Sequence, residues 1–227
     1  VKFNAACAPS RSRPRLSGAK VQADAEKLLE HLGESGIGAL TEISNPDARA
    51  AVAEVFKHRY HPQGTDTPIV WTPDWFCAAH GMDFGSGRVP GVAPKRHTVW
   101  AILQHKETGI RVGVMATHMM PGGWRPSARQ MPWVPLIRLR WRRHRTRYEH
   151  RRALLSARCA AVIGLGDINR PGVFVFDGDT RASAAGIPYI GVSGQAKPGV
   201  RTRWNQNADH RAAAAVITVT APKGVRR

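Results

Sequence analysis

The segment Ile163-Gly164-Leu165-Gly166-Asp167-Ile168-Asn169 decides how the rest of the chain is read. It closes a run with strand character, Ala161–Ile168, and delivers a carboxylate and a carboxamide at the strand's end. A strand end followed by a loop is where a rigid scaffold can converge functional groups. Taken alone, Gly-Asp-x-Asn is equally a β-turn closed by Asx hydrogen bonds.

Working outward, other strand ends carry the same kinds of group. Arg111–His118 forms a hairpin with Arg96–Gln104 across Lys106–Gly109 and finishes on Thr117-His118. Ile37–Ile43 carries Glu42 near its end, Asp209-His210 precedes the strand Ala212–Thr220, and Asn4 lies in the first strand, Lys2–Cys7. Glu and Asp oxygens suit a hard cation, Mg²⁺ or Mn²⁺. Imidazoles beside such an ion suit proton transfer or stabilisation of a phosphoryl oxygen. Together they make the inventory of metal-assisted phosphodiester hydrolysis.

The intervening segments set the class. Val21, Ala25, Leu28, Leu29 and Leu32 recur at helical spacing over 20–32. Asn45-Pro46-Asp47 starts a second helix running through Phe56, and 136–157 is the longest helix, with Ile137, Trp141, His144, Tyr148 and Leu155 as its inner stripe. Further strands are expected at Ile69–Thr72, Asp74–Ala79 and Ile187–Val192, with loops at Asp83–Pro94 and Met119–Pro135. Arg96–Gln104 has apolar residues on both faces, as a strand of a sandwich interior does. These elements predict an α+β fold of layered sheets in one domain spanning 1–227.

Composition narrows the partners. Against 16 Asp+Glu stand 34 Lys+Arg, a formal net charge of +18, which calls for a polyanion. No stretch approaches the ~20 apolar residues of a membrane span, and the first residues lack the pattern of a signal peptide. Cys7, Cys77 and Cys159 are too scattered for a disulfide framework or a zinc site and read as thiols of a reducing compartment, so a cytoplasmic monomer is expected.

The ordered set Asn4, Glu42, Thr117-His118, Gly166-Asp167-Ile168-Asn169 and Asp209-His210-Arg211 resembles the endonuclease/exonuclease/phosphatase superfamily, the DNase I-like fold. Met119, Ile168 and Ala208 are mild departures from that pattern, and the resemblance spans Lys2–Val219. It implies a four-layered α/β/β/α sandwich of two mainly antiparallel sheets. It also implies roles: Glu42 as principal metal ligand with Asn4 and Asp209 close by, and Asp167 as the residue that positions or deprotonates water. Asn169, His118 and His210 would be donors to the scissile phosphate, and Arg96, more loosely, a phosphate contact. One departure is larger. Where the family carries an Asp that orients the catalytic His, this chain has Ile187-Pro188-Tyr189-Ile190, and a Pro cannot orient an imidazole. Asp177 and Asp179 read as solvated turn residues.

Arg138–Arg152 holds eight Arg and one Glu. Arg138, Arg142 and Arg145 share one helix face, and relief of their repulsion by phosphates points to nucleic acid. A solvated basic helix is the alternative. The expectation is a Mg²⁺- or Mn²⁺-dependent nuclease acting on nucleic acid, DNA first. The alternatives are a phosphatase or phosphodiesterase of the same superfamily acting on a small or lipid phosphate, and a catalytically degenerate nucleic-acid binder.

Overall fold

The computed structural model describes residues 1–10, 18–124, 126–169, 176–182, 188–205 and 211–221. Its strands are β1 (Lys2–Pro9), β2 (Gly36–Thr41), β3 (Arg59–Tyr60), β4 (Ile69–Trp71), β5 (Trp75–Ser86), β6 (Arg96–His105), β7 (Arg111–His118), β8 (Ala161–Asp167), β9 (Thr180–Arg181), β10 (Pro188–Gly194), β11 (Ala196–Trp204) and β12 (Ala212–Val219). Among the described residues three α-helices lie between them: α1 (Gly18–Leu32), α2 (Pro46–Val55) and α3 (Val134–Ser156).

Two six-stranded sheets form, in the orders β11-β12-β1-β2-β4-β3 and β5-β6-β7-β8-β10-β9. Each has one parallel pair, at its centre: β1 beside β2, joined through α1, and β7 beside β8, joined through α3. All other neighbours are antiparallel. Three apolar layers follow from the period-2 alternation of the strands. Phe3, Ala5, Ile37, Val99, Val114, Ile163 and Leu165 fill the space between the sheets. Ala6, Leu40 and Ala214 turn the other way onto Val21, Leu28 and Val52 of the helices α1 and α2. Ile102, Met115 and Val162 meet Trp141, Tyr148 and Leu155 of α3. The result is the expected four-layered sandwich.

Local signals agree. Asn45 caps α2, its Oδ1 accepting from the Ala48 N–H at 2.7 Å. The inner stripe of α3 is the one its spacing gives: Ile137, Trp141, His144, Tyr148 and Leu155 are its buried residues. The Trp141 indole donates to Ile168 O at 2.8 Å, so α3 is tied to the residue after β8. Two expectations need correction. The loop expected from Asp83 begins later, because β5 runs on to Ser86. Gly81 lets the Trp100 ring lie on the strand and Gly85 admits His144; a Cβ would come within 2.5 and 2.3 Å of those rings. Asp179 is not solvated: its side chain is 1% exposed and accepts from Arg152 at 2.7 Å and from the Tyr189 hydroxyl at 2.7 Å.

Candidate active site

The ends of the two parallel pairs meet. His118 closes β7 and Asp167 closes β8, register partners in the second sheet. Glu42 follows β2 in the first. His118 Nε2 lies 4.0 Å from Glu42 Oε1 and 3.9 Å from Asp167 Oδ2, so both sheets contribute to one site.

The Gly-Asp-Ile-Asn turn is built around a tight approach. A Cβ on Gly166 would stand 1.9 Å from Thr117 O, and its φ is +143°, so only glycine fits. Asp167 Oδ1 accepts from the Asn169 N–H at 2.8 Å, the Asx bond the sequence allows. Asn169 in turn donates its amide to Met119 O at 2.9 Å, and the Met119 N–H donates to Asp167 O at 2.8 Å. The two strand ends are thereby laced together beyond the sheet. Glu42 and Asn169 are the two non-glycine residues with positive φ, 69° and 50°, among the described residues. Each follows a central strand and turns its side chain out of the sheet's alternation. Left-handed backbone at such positions costs about 1–3 kcal/mol and collects at functional sites.

His118 is backed by a residue that the sequence reading missed. Its Nδ1 lies 2.8 Å from Asp66 Oδ2, and Arg96 Nη1 reaches the same oxygen at 2.6 Å. With the ring proton on Nδ1, Asp66 accepts from both, and Nε2 is the nitrogen turned toward Glu42 and Asp167. Burial works against ionisation of Asp66, but His118 and Arg96 outweigh it and hold the carboxyl well below the usual carboxylate range. Asp66 sits in a loop, not at a strand end. That loop is braced by the Ile43 N–H donating to Asp66 O at 2.9 Å and by Arg49 of α2 donating to Pro62 O and Thr65 O. The one signal in the sequence was a scarce carboxylate within Pro62-Gln63-Gly64-Thr65-Asp66, just before a strand.

Behind His118 lies His144, fully buried on α3. Its Nε2 is 3.0 Å from Thr98 Oγ1 and 3.1 Å from Thr117 Oγ1. Burial, with the nearby cation Arg96, pushes this imidazole down to about 3, so it is neutral. It fixes the strand that presents His118.

Other residues chosen from sequence are placed differently. Asn4 is level with Gly36, five residues before the Pro9–Thr41 level, about 16 Å down the strand. Its amide donates to Leu32 O at 3.2 Å, and it does not join the group. The β1 residue that reaches the site is Cys7, a buried thiol pushed up to about 12 by burial and by the charge of Asp167. A three-residue shift along β1 separates the two. Arg96 is 6% exposed and turned inward onto Asp66, so it holds the site rather than facing solvent. Arg138 donates to Gly123 O at 2.8 Å, and Arg145 pairs with Glu149 and Asp177 at 2.7 and 3.0 Å. Arg142 is exposed. Asp209 and His210 lie outside the described residues. The backbone of Pro188 is level with Asp167.

Among the described residues no group of three or more His, Cys, Asp or Glu side chains is arranged to hold a metal ion. The donors in place are the Glu42 and Asp167 carboxylates, hard oxygens of the kind Mg²⁺ and Mn²⁺ prefer, and Glu42 is 37% exposed and accessible. The donor chemistry therefore fits a hard divalent cation at Glu42.

No protein-family model matches the chain, and no curated protein is significantly similar to it. Solved structures are similar throughout. An endonuclease/exonuclease/phosphatase from Bacteroides vulgatus is 10% identical with a TM-score of 0.72, over 97% of this chain and 100% of that one. The mannosyl-6-phosphatase of Bacteroides thetaiotaomicron VPI-5482 is 12% identical with a TM-score of 0.69, over 95% and 99%. D. rerio TDP2, complexed with a single-strand DNA product, is 11% identical with a TM-score of 0.69, over 96% and 99%. The class is thus a four-layered α/β/β/α sandwich with a polar site at its strand ends. The chain has the fold of the endonuclease/exonuclease/phosphatase superfamily, the DNase I-like fold.

Proposed function

We propose that the protein is a divalent-metal-dependent phosphodiester hydrolase acting on nucleic acid, with DNA as the first substrate to test. The observation that carries this reading is His118 Nε2 set 4.0 and 3.9 Å from the Glu42 and Asp167 carboxylates, with Asp66 holding Nδ1. Glu42 would hold Mg²⁺ or Mn²⁺, which when bound supplies Lewis-acid polarisation of a phosphoryl oxygen. Asp167, fixed through Oδ1 by Asn169, would orient a water and take its proton. In its imidazolium form, with Nδ1 donating to Asp66, His118 would donate from Nε2 to the phosphate oxygen on which charge develops. Asn169 keeps one amide hydrogen beyond its bond to Met119 for the same purpose. Asp209 and His210 are proposed to complete the metal and phosphate contacts.

A second reading, a phosphatase on a small or lipid phosphate, is favoured by one observation. Arg145 and the Nε of Arg138 make intramolecular bonds, which weakens the case for a nucleic-acid track along that face of α3.

The test is incubation with supercoiled plasmid, linear duplex, an abasic-site duplex and a panel of phosphomonoesters, in Mg²⁺, Mn²⁺ or EDTA. Metal-dependent cleavage of nucleic acid that is lost in Glu42→Ala and Asp167→Ala, with binding retained, supports the first reading. Phosphomonoester turnover with duplex left intact supports the second. Metal-independent DNA binding without any turnover overturns both in favour of a binder.

A further inference from the structure

The loop joining β5 to β6 rises at the same end of the second sheet as His118, since β6 is antiparallel to β7. It folds back on itself through Val89 N–H to Ala93 O and Ala93 N–H to Val89 O, both 3.0 Å, with Val89 and Ala93 buried. It borders a shallow, open bowl of about 720 Å³ that includes Arg88, Lys95, His97 and, from the Asp66 loop, Gly64. Lys95 and His97 flank Arg96 in sequence, and Gly64 is two residues from Asp66. The bowl and the Asp66–Arg96–His118 group are thus carried by the same two segments.

Its charge is one-sided. Among the described residues no carboxylate lines it, and Arg88 and Lys95 are exposed. Two more cations close in from outside. The Arg140 guanidinium lies against Gly87, where a Cβ would stand 2.8 Å from Nη1, and Arg129 lies against Gly91. Arg140 Nε is buried without a hydrogen-bond partner among the described residues. Four cations gathered on one short loop repel one another, and a bound anion relieves that cost. Arg151 of α3 differs: its guanidinium is matched by Asp83 at 2.6 and 2.8 Å.

We propose that this bowl is a second phosphate site, taking a phosphate that the substrate carries beside the one that is cut. The inference rests on the reading of the His118 site as a phosphate-ester hydrolase and adds to it that the substrate bears at least two phosphates. The neighbouring phosphate of a nucleic-acid strand and the second phosphate of a small bisphosphate share this chemistry.

The first test reads binding without turnover. In EDTA, inorganic phosphate is titrated into the full chain while the His97 ring signals are followed by NMR. Saturable shifts that weaken tenfold or more in Arg88→Gln/Lys95→Gln, but not in Lys106→Gln at the far end of β6, support the site. Equal affinity in all three overturns it. The second test is kinetic, with Mg²⁺ or Mn²⁺. The double variant raises KM at least tenfold more for a two-phosphate substrate than for bis(4-nitrophenyl) phosphate. A 5′-phosphorylated dinucleotide and a sugar bisphosphate separate the two sources, and a penalty on neither overturns the proposal. The hydrolase reading fails separately. If nothing is turned over but phosphate binding depends on Arg88 and Lys95, the bowl stands and that reading falls. If turnover depends on Glu42 while the double variant changes neither binding nor KM, the bowl falls alone.

Discussion

Asp66 concentrates the site's electrostatics in one oxygen, Oδ2, which meets both Arg96 and His118. Replacing it by Asn leaves a buried guanidinium without its counter-charge and the imidazole without its orienting acceptor. We expect Asp66→Asn to lower turnover by about 10–100-fold, the usual cost of losing an orienting partner, and to destabilise the fold by about 2–4 kcal/mol. Because the folded carboxyl is held below its unfolded value of about 3.9, its contribution is complete above that pH. It is lost as pH falls toward the lower, folded value. His144 has the same sign at higher pH. It is held neutral down to about 3, against about 6.5 for a free imidazole, so it contributes fully above pH 6.5 and progressively less as pH falls toward 3. Urea unfolding from pH 8 to pH 3 checks both: stability falls with pH in the wild type, and His144→Gln flattens the slope between pH 6.5 and about 3. A slope unchanged in that variant would remove His144 from the account. Neither residue was marked as chemical by the sequence. Asp66 reaches the site from a loop, where no spacing rule applies, and His144 read only as one member of an apolar stripe. Asn4 drew attention as a polar residue in a short strand, yet the register of β1 on β2 puts Cys7 at the site instead.

The elements were legible where one physical signal dominated. α1 followed from its 3.6-residue period, α2 from its Asn45 cap and α3 from its stripe. β11 was missed because Pro198 and Gly199 break its pattern; the ladder slips there, between Pro198 and Arg201, and the strand is a basic sheet edge. The arginines of α3 read as rows facing phosphate because a sequence does not reveal which of them meets a carboxylate across the fold. Arg151 pairs with Asp83 through two bonds and lies over the Trp100 ring at 4.6 Å. We expect Arg151→Ala to cost about 1–2 kcal/mol, and a double-mutant cycle with Asp83→Ala to give a coupling near 1 kcal/mol. Arg142→Ala, at an exposed position, should stay within about 0.5 kcal/mol of wild type by denaturant midpoint. The reverse ranking would mean that α3 is held by its apolar stripe alone.

At the scale of the molecule, the sequence's net charge of +18 is no longer one quantity. Part of the positive charge on α3 is matched within the fold, through Asp83, Glu149, Asp177 and Asp179. Elsewhere, Arg88 and Lys95 are exposed on the rim beside the candidate site. Salt acts on these two parts with opposite sign. Screening weakens the internal pairs, which destabilises, and it weakens the net repulsion, which stabilises. Apart from the one to the exposed Asp177, the pairs are short and partly buried, so they are screened little. The excess cations are exposed and further apart, so they are screened strongly as the Debye length falls from about 10 Å at 0.1 M to about 3 Å at 1 M. Repulsion should therefore decide the outcome. We expect the thermal midpoint to rise by a few degrees between 0.1 and 1 M NaCl, equivalent to roughly 1 kcal/mol for a chain of this size. Arg151→Ala should rise at least as much, since it has one pair fewer to lose. A midpoint that falls with NaCl in the wild type but not in Arg151→Ala would reverse the weighting and make the internal arginine pairs the dominant electrostatic term of the fold.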